Sequence, residues 1–287
     1  MNTLTFFHPL KYWSIKINLE SPDLVDDLHH IFGLFQHVAA AESQNCLINI
    51  TIIKSSTCYV VLQQDVAVFR GSKEAVLGYV AHIFYTPLFL QNNAITYLHG
   101  ACMIHPITSR SIIFLGPRET GKTTLLSFLL SHSNYQYLSD DIVPIDNCTL
   151  STHSFPSTIY VRDDDVVNCV INRSTKICPT STKLAINGET KTVYTVSNYA
   201  EITESSLGAI YLLDRNNSHR NVTITRLSLT ESLYAIVHNL HDPNHIHHAI
   251  PTIIRLVESV PVFRLCYGSN MDDLNTILDY FGGTNAN

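Results

Sequence analysis

The sequence predicts an α/β protein in which a phosphate-loop domain follows a smaller α+β module. Three observations carry that expectation. An apolar strand, Ser111 to Leu115, runs straight into a glycine loop, and the loop opens into the apolar helix Lys122 to Leu130. A second strand, Tyr135 to Leu138, ends in Ser139-Asp140-Asp141, a serine followed by an acidic pair. Upstream of His99 the pattern is different: short β-branched runs and amphipathic helices, with no glycine loop.

Taken in order, Pro22 to Phe35 has apolar residues at helical spacing after Ser21, which is placed to cap that helix. Residues 47–53 and 58–63 are β-branched runs joined by Lys54-Ser55-Ser56-Thr57, which reads as a hairpin. Lys73 to Leu90 reads as a helix interrupted at Pro87. These elements make residues 1–95 an α+β module for substrate binding or oligomerisation, and 96–287 the phosphate-loop domain. Within the latter, Ala94 to Leu98 forms a strand up to His99, and Ile142 to Ile145 continues the chain beyond the acidic pair. Strands at Ser157 to Val161, Leu207 to Leu213, Val222 to Leu227 and Pro261 to Tyr267 follow. They alternate with helices from Thr230 to about Leu240, from about His248 to Val260, and from Met271 to Phe281.

Composition narrows the partners. In 287 residues, Lys+Arg 18 against Asp+Glu 24 gives a net charge of −6, and only 15% of residues are charged. No basic arm is concealed in either part, so a nucleic-acid backbone is not the expected ligand. No apolar run approaches the roughly 18–20 residues of a membrane span. The N-terminus lacks the pattern of a secretory signal, and a cytoplasmic protein is expected. Seven cysteines, irregularly spaced and without a Cys-x-x-Cys pair, read as buried reduced thiols.

The chemistry concentrates in Gly116-Pro117-Arg118-Glu119-Thr120-Gly121-Lys122-Thr123, with Thr124 following, which fits G-x-x-x-x-G-K-[ST] without a mismatch. Glycines let consecutive N–H groups turn inward around phosphate oxygens, and the helix start adds its positive end. In such a loop Lys122 reaches the terminal phosphates and Thr123 ligates Mg²⁺, which makes ATP and Mg²⁺ the expected cofactors. Asp140 and Asp141 fall at the end of the next strand. Neighbouring parallel strands end on the phosphate-loop edge, so one carboxylate is placed to hold Mg²⁺ and the other to accept a hydroxyl proton. His99 suits either a structural hydrogen bond or catalysis. Arg162 has two readings, a phosphate or substrate contact and a solvated turn shared with Asp163 to Asp165. His241, His245, His247 and His248 lie around Pro243 without a Cys or Glu at zinc-ligand spacing, so an interhelical loop is expected there.

Leu98-His99-Gly100-Ala101, the glycine loop, and Tyr137 to Ile145 together resemble the kinase domain of the HPr kinase/phosphorylase family. They resemble more closely its relatives among the peptide serine kinases of lasso-peptide biosynthesis. Phe155 to Arg162 and Pro261 to Gly268 are similar to later segments of that branch, so the resemblance covers roughly residues 95–280. It implies an HPr-kinase-like, PEP carboxykinase-like domain that transfers phosphate from ATP to a serine of a peptide or protein; a homo-oligomer interface is the alternative role that residues 1–95 leave open. In that scheme Lys122 binds phosphate, Thr123 holds Mg²⁺, Asp140 is the base, Asp141 supports metal or geometry, and His99 assists near the γ-phosphate. The chain has Gly-Lys-Thr where the family commonly has Gly-Lys-Ser, an equivalent metal ligand. It lacks the glycine-rich signature of bifunctional HPr enzymes, a departure that counts against HPr as substrate and against the reverse reaction. A small-metabolite kinase of the same fold and a non-catalytic nucleotide-binding regulator are the alternatives.

Overall fold

The computed structural model describes residues 2–7, 14–36, 46–91, 94–155, 157–162, 174–197, 199–200, 203–216, 221–241, 246–268 and 270–282. The chain forms two compact units. The first comprises Met1–Gln91, Pro156–Asn168 and Cys178–Val196; the second comprises Asn92–Phe155, Cys169–Ile177 and Ser197–Asn287. The first unit thus draws on two segments later in the chain as well as on its N-terminal part. Among the described residues no helix is long and apolar enough to cross a membrane.

The first unit opens with β1 (Asn2–Phe7) and β2 (Ser14–Leu19), two strands not anticipated from the sequence. A 3-10 turn at Pro22–Leu24 leads into α1 (Val25–Gln36), and β3 (Cys46–Lys54) follows. Ser21 is extended and makes no side-chain cap, because the tight turn starting at Pro22 takes the place of the first helical turn. β4 (Tyr59–Gln63) forms the expected hairpin with β3, and β5 (Val66–Gly71) extends it. The sheet order is β1-β2-β3-β4-β5, with β2 and β3 parallel across the α1 crossover. The helix α2 (Lys73–Gln91) runs through Pro87 rather than breaking there. Proline removes a single N–H from the ladder, and the turns on either side carry the helix past it. Phe6, Phe32 and Phe84, all fully buried, pack in series as tilted rings with centroids 5.0 and 4.9 Å apart, and this aromatic column ties both helices to the sheet.

The second unit begins with β6 (Ile95–Leu98), β7 (Gly100–Ile104) and β8 (Ser111–Leu115). Then come α3 (Lys122–His132), β9 (Gln136–Asp140), β10 (Val143–Asp146) and β11 (Ser151–His153). The chain returns to the first unit for β12 (Ile159–Arg162), most of β13 (Ile177–Ile186) and β14 (Glu189–Val196), a three-stranded sheet in the order β12-β14-β13. The wholly buried Thr182 donates to the Asp27 carboxylate at 2.8 Å, which fastens this sheet to α1. The second unit resumes with β15 (Glu204–Arg215), β16 (Thr223–Arg226), α4 (Leu229–Val237), α5 (Ile246–Ser259), β17 (Val262–Tyr267) and α6 (Met271–Gly282).

Its sheet reads β6-β10-β11-β15-β8-β7-β9, with β17 pairing β15 and β16. β8, β15 and β17 are parallel, and β7 is antiparallel to both β8 and β9. One cross-strand row therefore runs Asp140, Ala101, Phe114, Tyr211, Phe263. The expectation that β8 and β9 are direct neighbours is corrected: β7 lies between them, and two antiparallel pairings restore the same direction. The ends of β8, β9, β15 and β17 and the start of β7 consequently share one edge. β10 does not continue β9 but pairs antiparallel with β6.

One face of this sheet is buried by an apolar cluster that includes Leu98, Cys102, Ile113, Leu115, Ile210, Ile236, Leu256 and Val262, with α4 and α5 supplying the outer layer. The opposite face carries Phe114, Tyr211 and Phe281 in contact, and the hydroxyl of Tyr135 donates to the Phe281 carbonyl at 3.0 Å. Of the described cysteines only Cys102 is buried; Cys148 and Cys178 are exposed, so the expectation of buried thiols holds at one of these positions. The side chain of Cys46 and all of Cys169 lie outside the described residues.

Candidate active site

The phosphate loop lies at the shared edge, between the end of β8 and the start of α3. Gly116 has φ 155° and Gly121 φ 86°. A Cβ on Gly116 would stand 2.7 Å from Thr120 Oγ1, and one on Gly121 would stand 3.1 Å from the Tyr267 hydroxyl and 3.2 Å from Arg215 Nη1. Glycine is needed at Gly121 for its left-handed backbone and at both positions for close approach. Glu119 also takes a left-handed conformation, at φ 70°, though it carries a side chain.

Lys122 is 7% exposed and its ammonium folds back over the loop, donating to the carbonyls of Gly116 at 2.7 Å and Pro117 at 3.0 Å. Burial pulls its pKa below the ordinary lysine value, while the nearby Asp140 and Asp141 carboxylates hold the charge in place. Pro117, Arg118 and Glu119 are exposed at the loop crown; Thr120 is half-buried, its hydroxyl donating to the Pro117 carbonyl at 2.8 Å. Thr124 is half-buried on the first turn of α3.

Thr123 and Asp140 meet. The Thr123 hydroxyl lies 3.0 and 3.2 Å from the two carboxylate oxygens of Asp140. Asp140 is 6% exposed, and burial followed by the neighbouring Asp141 charge pushes its pKa up to about 6. This hydroxyl and carboxylate offer hard oxygen donors only, a set suited to Mg²⁺. Asp141, in a left-handed turn at φ 70°, is exposed and sets its Oδ1 3.0 Å from His99 Nδ1.

The residues picked from the sequence at this edge are thus brought together: His99, Gly116 to Thr123, Asp140 and Asp141. Arg162 ends β12 in the first unit, and its side chain lies outside the described residues, as do Asp163 to Asp165. His245 and Pro243 also lie outside them, and His247 and His248 are exposed on α5. His241 is instead close to His99, with ring centroids 6.0 Å apart.

Three further residues complete the edge. Asn239, buried after α4, accepts the Gly116 N–H on its side-chain oxygen at 3.1 Å and the His99 N–H on its main-chain carbonyl at 2.7 Å. Tyr267 donates its hydroxyl to the Thr120 carbonyl at 2.9 Å. Arg215 ends β15 beside Gly121. Tyr267 is the last residue of a strand expected from the sequence, whereas Arg215 lies two residues beyond the expected strand end at Leu213; Asn239 gives no such signal.

No family model matches the chain, and no curated protein matches it. Among solved structures, the chain is similar to the HPr(Ser) kinase/phosphatase from Coxiella burnetii, at 9% identity and a TM-score of 0.32, over 66% of this chain and 95% of that one.

Proposed function

We propose that the chain is a kinase that uses ATP and Mg²⁺ to phosphorylate a serine hydroxyl of a peptide or protein, with ribosomally made precursor peptides as the substrate class. The observation that carries this reading is the contact between Thr123 and Asp140, which joins a phosphate loop to a buried carboxylate at one strand edge. The resemblance of the Leu98 to Ala101, loop and Tyr137 to Ile145 segments to peptide serine kinases supports the choice of acceptor.

In this mechanism the loop N–H groups and Lys122 bind phosphate oxygens, Lys122 exchanging the Gly116 and Pro117 carbonyls for them. Thr123 and Asp140 would hold Mg²⁺, which when bound neutralises charge on the phosphates. Asp140 takes the serine proton as the new oxygen–phosphorus bond forms and the bond between the γ-phosphorus and ADP breaks. In the metal-free site burial and the Asp141 charge raise the Asp140 pKa to about 6, which leaves the carboxylate anionic at neutral pH. Asp141 holds His99 beside the reacting group, and Arg215 faces the loop end.

Incubation with ATP, Mg²⁺ and a pool of serine-containing peptides, read by mass spectrometry, is expected to add phosphate to serine. Asp140→Asn is expected to abolish product while retaining ATP binding by calorimetry. Phosphorylation of free hydroxy or amino acids with peptides untouched would overturn the peptide assignment. ATP binding without product in any pool would overturn the kinase.

A further inference from the structure

Leu98 and Leu240 form an isolated antiparallel bridge. Two backbone bonds flank it: the His99 N–H to the Asn239 carbonyl at 2.7 Å, and the His241 N–H to the Tyr97 carbonyl at 2.9 Å. In such a pairing residues 99 and 241 are diagonal neighbours on the face opposite the two leucines. Both leucines are committed to the apolar core, so the two imidazoles are directed to the other side together. Their rings stand at 70° to one another. Asp141 reaches the same place from the turn after β9, and one donor atom from each of His99, Asp141 and His241 lies within 4.8 Å of the other two.

We propose that His99, Asp141 and His241 bind one divalent transition-metal ion of the Zn²⁺ class. The donor set decides the class. Two imidazole nitrogens and one carboxylate oxygen suit Zn²⁺, Co²⁺ or a related ion, whereas Mg²⁺ prefers an octahedral shell of oxygens. Ligand bonds of about 2.0–2.1 Å put tetrahedral donor atoms about 3.3 Å apart. His99 Nδ1 and Asp141 Oδ1 are already at 3.0 Å, so the site closes by a small approach of the His241 ring. Three protein ligands leave a coordination position open, and the Asp141 side chain is 63% exposed. The anchoring is rigid where it matters: backbone bonds fix both histidines, and Asp141 rides on a turn closed by the Ile142 N–H to the Asp140 carbonyl at 2.9 Å. The oxygen pair of Thr123 and Asp140 and the nitrogen-rich trio are thus adjacent sites with opposite metal preferences. The trio stands on its own geometry and does not rest on phosphoryl transfer.

The test uses the full chain, stripped with a chelator and titrated with Co²⁺ in the absence of nucleotide. One ion per chain is expected to bind with visible d–d absorption, to be displaced by Zn²⁺, and to survive an excess of Mg²⁺. His99→Ala and His241→Ala should each weaken binding at least about tenfold. Each variant is first melted in chelator to confirm parental folding, and because the His241 ring is half-buried at the surface, His241→Ala carries the test should His99→Ala fail to fold. Lys122→Ala should lose nucleotide binding and keep Co²⁺ uptake, which separates this site from the kinase reading. No Co²⁺ spectrum, or equal affinity in the parent and His241→Ala, would overturn the proposal.

Discussion

The side-chain oxygen of Asn239 accepts the N–H of Gly116 at 3.1 Å across 123 positions of sequence, while its side-chain amide donates to the Ala235 carbonyl at 2.8 Å. The first residue of the phosphate loop is thereby fixed to the end of α4, and through the Asn239 carbonyl so is His99. Asn239→Ala leaves the Gly116 N–H buried and unpaired, a loss of about 1–3 kcal/mol. Denaturant unfolding should register that loss together with weaker nucleotide binding. Unchanged stability would show that the loop holds its shape without this contact.

Asp140 gives a pH signature. Its pKa in the fold, about 6, is raised above the value of about 3.9 expected of an unfolded chain. The folded state therefore holds the proton more tightly, and the contribution to stability is present in full below pH 4 and lost as pH rises through 6. Asp140→Asn cannot ionise and keeps an acceptor for the Thr123 hydroxyl. At pH 7.5 the variant should be more stable than the parent by on the order of 1–3 kcal/mol, and at pH 4 the advantage should vanish. A pH series of thermal melts checks this; a variant less stable than the parent at pH 7.5 would refute it.

Gly121→Ala must place a methyl group against the Tyr267 hydroxyl and Arg215 while keeping φ near 86°. The backbone alone costs about 1–2 kcal/mol. Calorimetry should show a lower melting temperature and loss of nucleotide affinity together, because the strain falls on the loop itself. Parental affinity in this variant would mean that Gly121 is not at the phosphate contact.

Arg215 lies beside Gly121, and under the proposed phosphoryl transfer it would act on charge that develops in the transition state. Arg215→Ala should lower kcat by about 10²–10³ and leave ADP affinity near the parental value. Single-turnover kinetics beside ADP titration separate the two quantities. An equal loss in both would make Arg215 a ground-state binding residue instead.

The parts of the site that sequence made visible are those whose chemistry is local. Ser111 to Thr123 is a contiguous strand, loop and helix start, and Asp140-Asp141 terminates a recognisable strand. Long-range register escaped it. Nothing near Gly100 signals that β7 inserts between β8 and β9, and the pairing of Leu98 with Leu240 brings His241 to His99 rather than to His247 and His248. Pro87 misled because a single missing N–H is a weaker signal than the apolar run on either side of it. Residues 178–196 misled in another way: β13 and β14 lie inside the stretch assigned to one domain yet pack with the other, and strand propensity is silent about which sheet a strand joins.

The bond from Thr182 to Asp27 sets a timetable for synthesis. The N-terminal 91 residues emerge from the ribosome carrying an α1 whose Asp27 carboxylate must wait for a hydroxyl 155 positions later. Before β12 to β14 arrive, the strands and loop of β6 to β11 have already been made. The usual order, in which an N-terminal domain closes before its successor begins, is unavailable to this chain. Its first unit has all of its segments only once Val196 is made, well after the second unit has begun, and nascent chains halted near residue 150 should expose that unfinished face to chaperones.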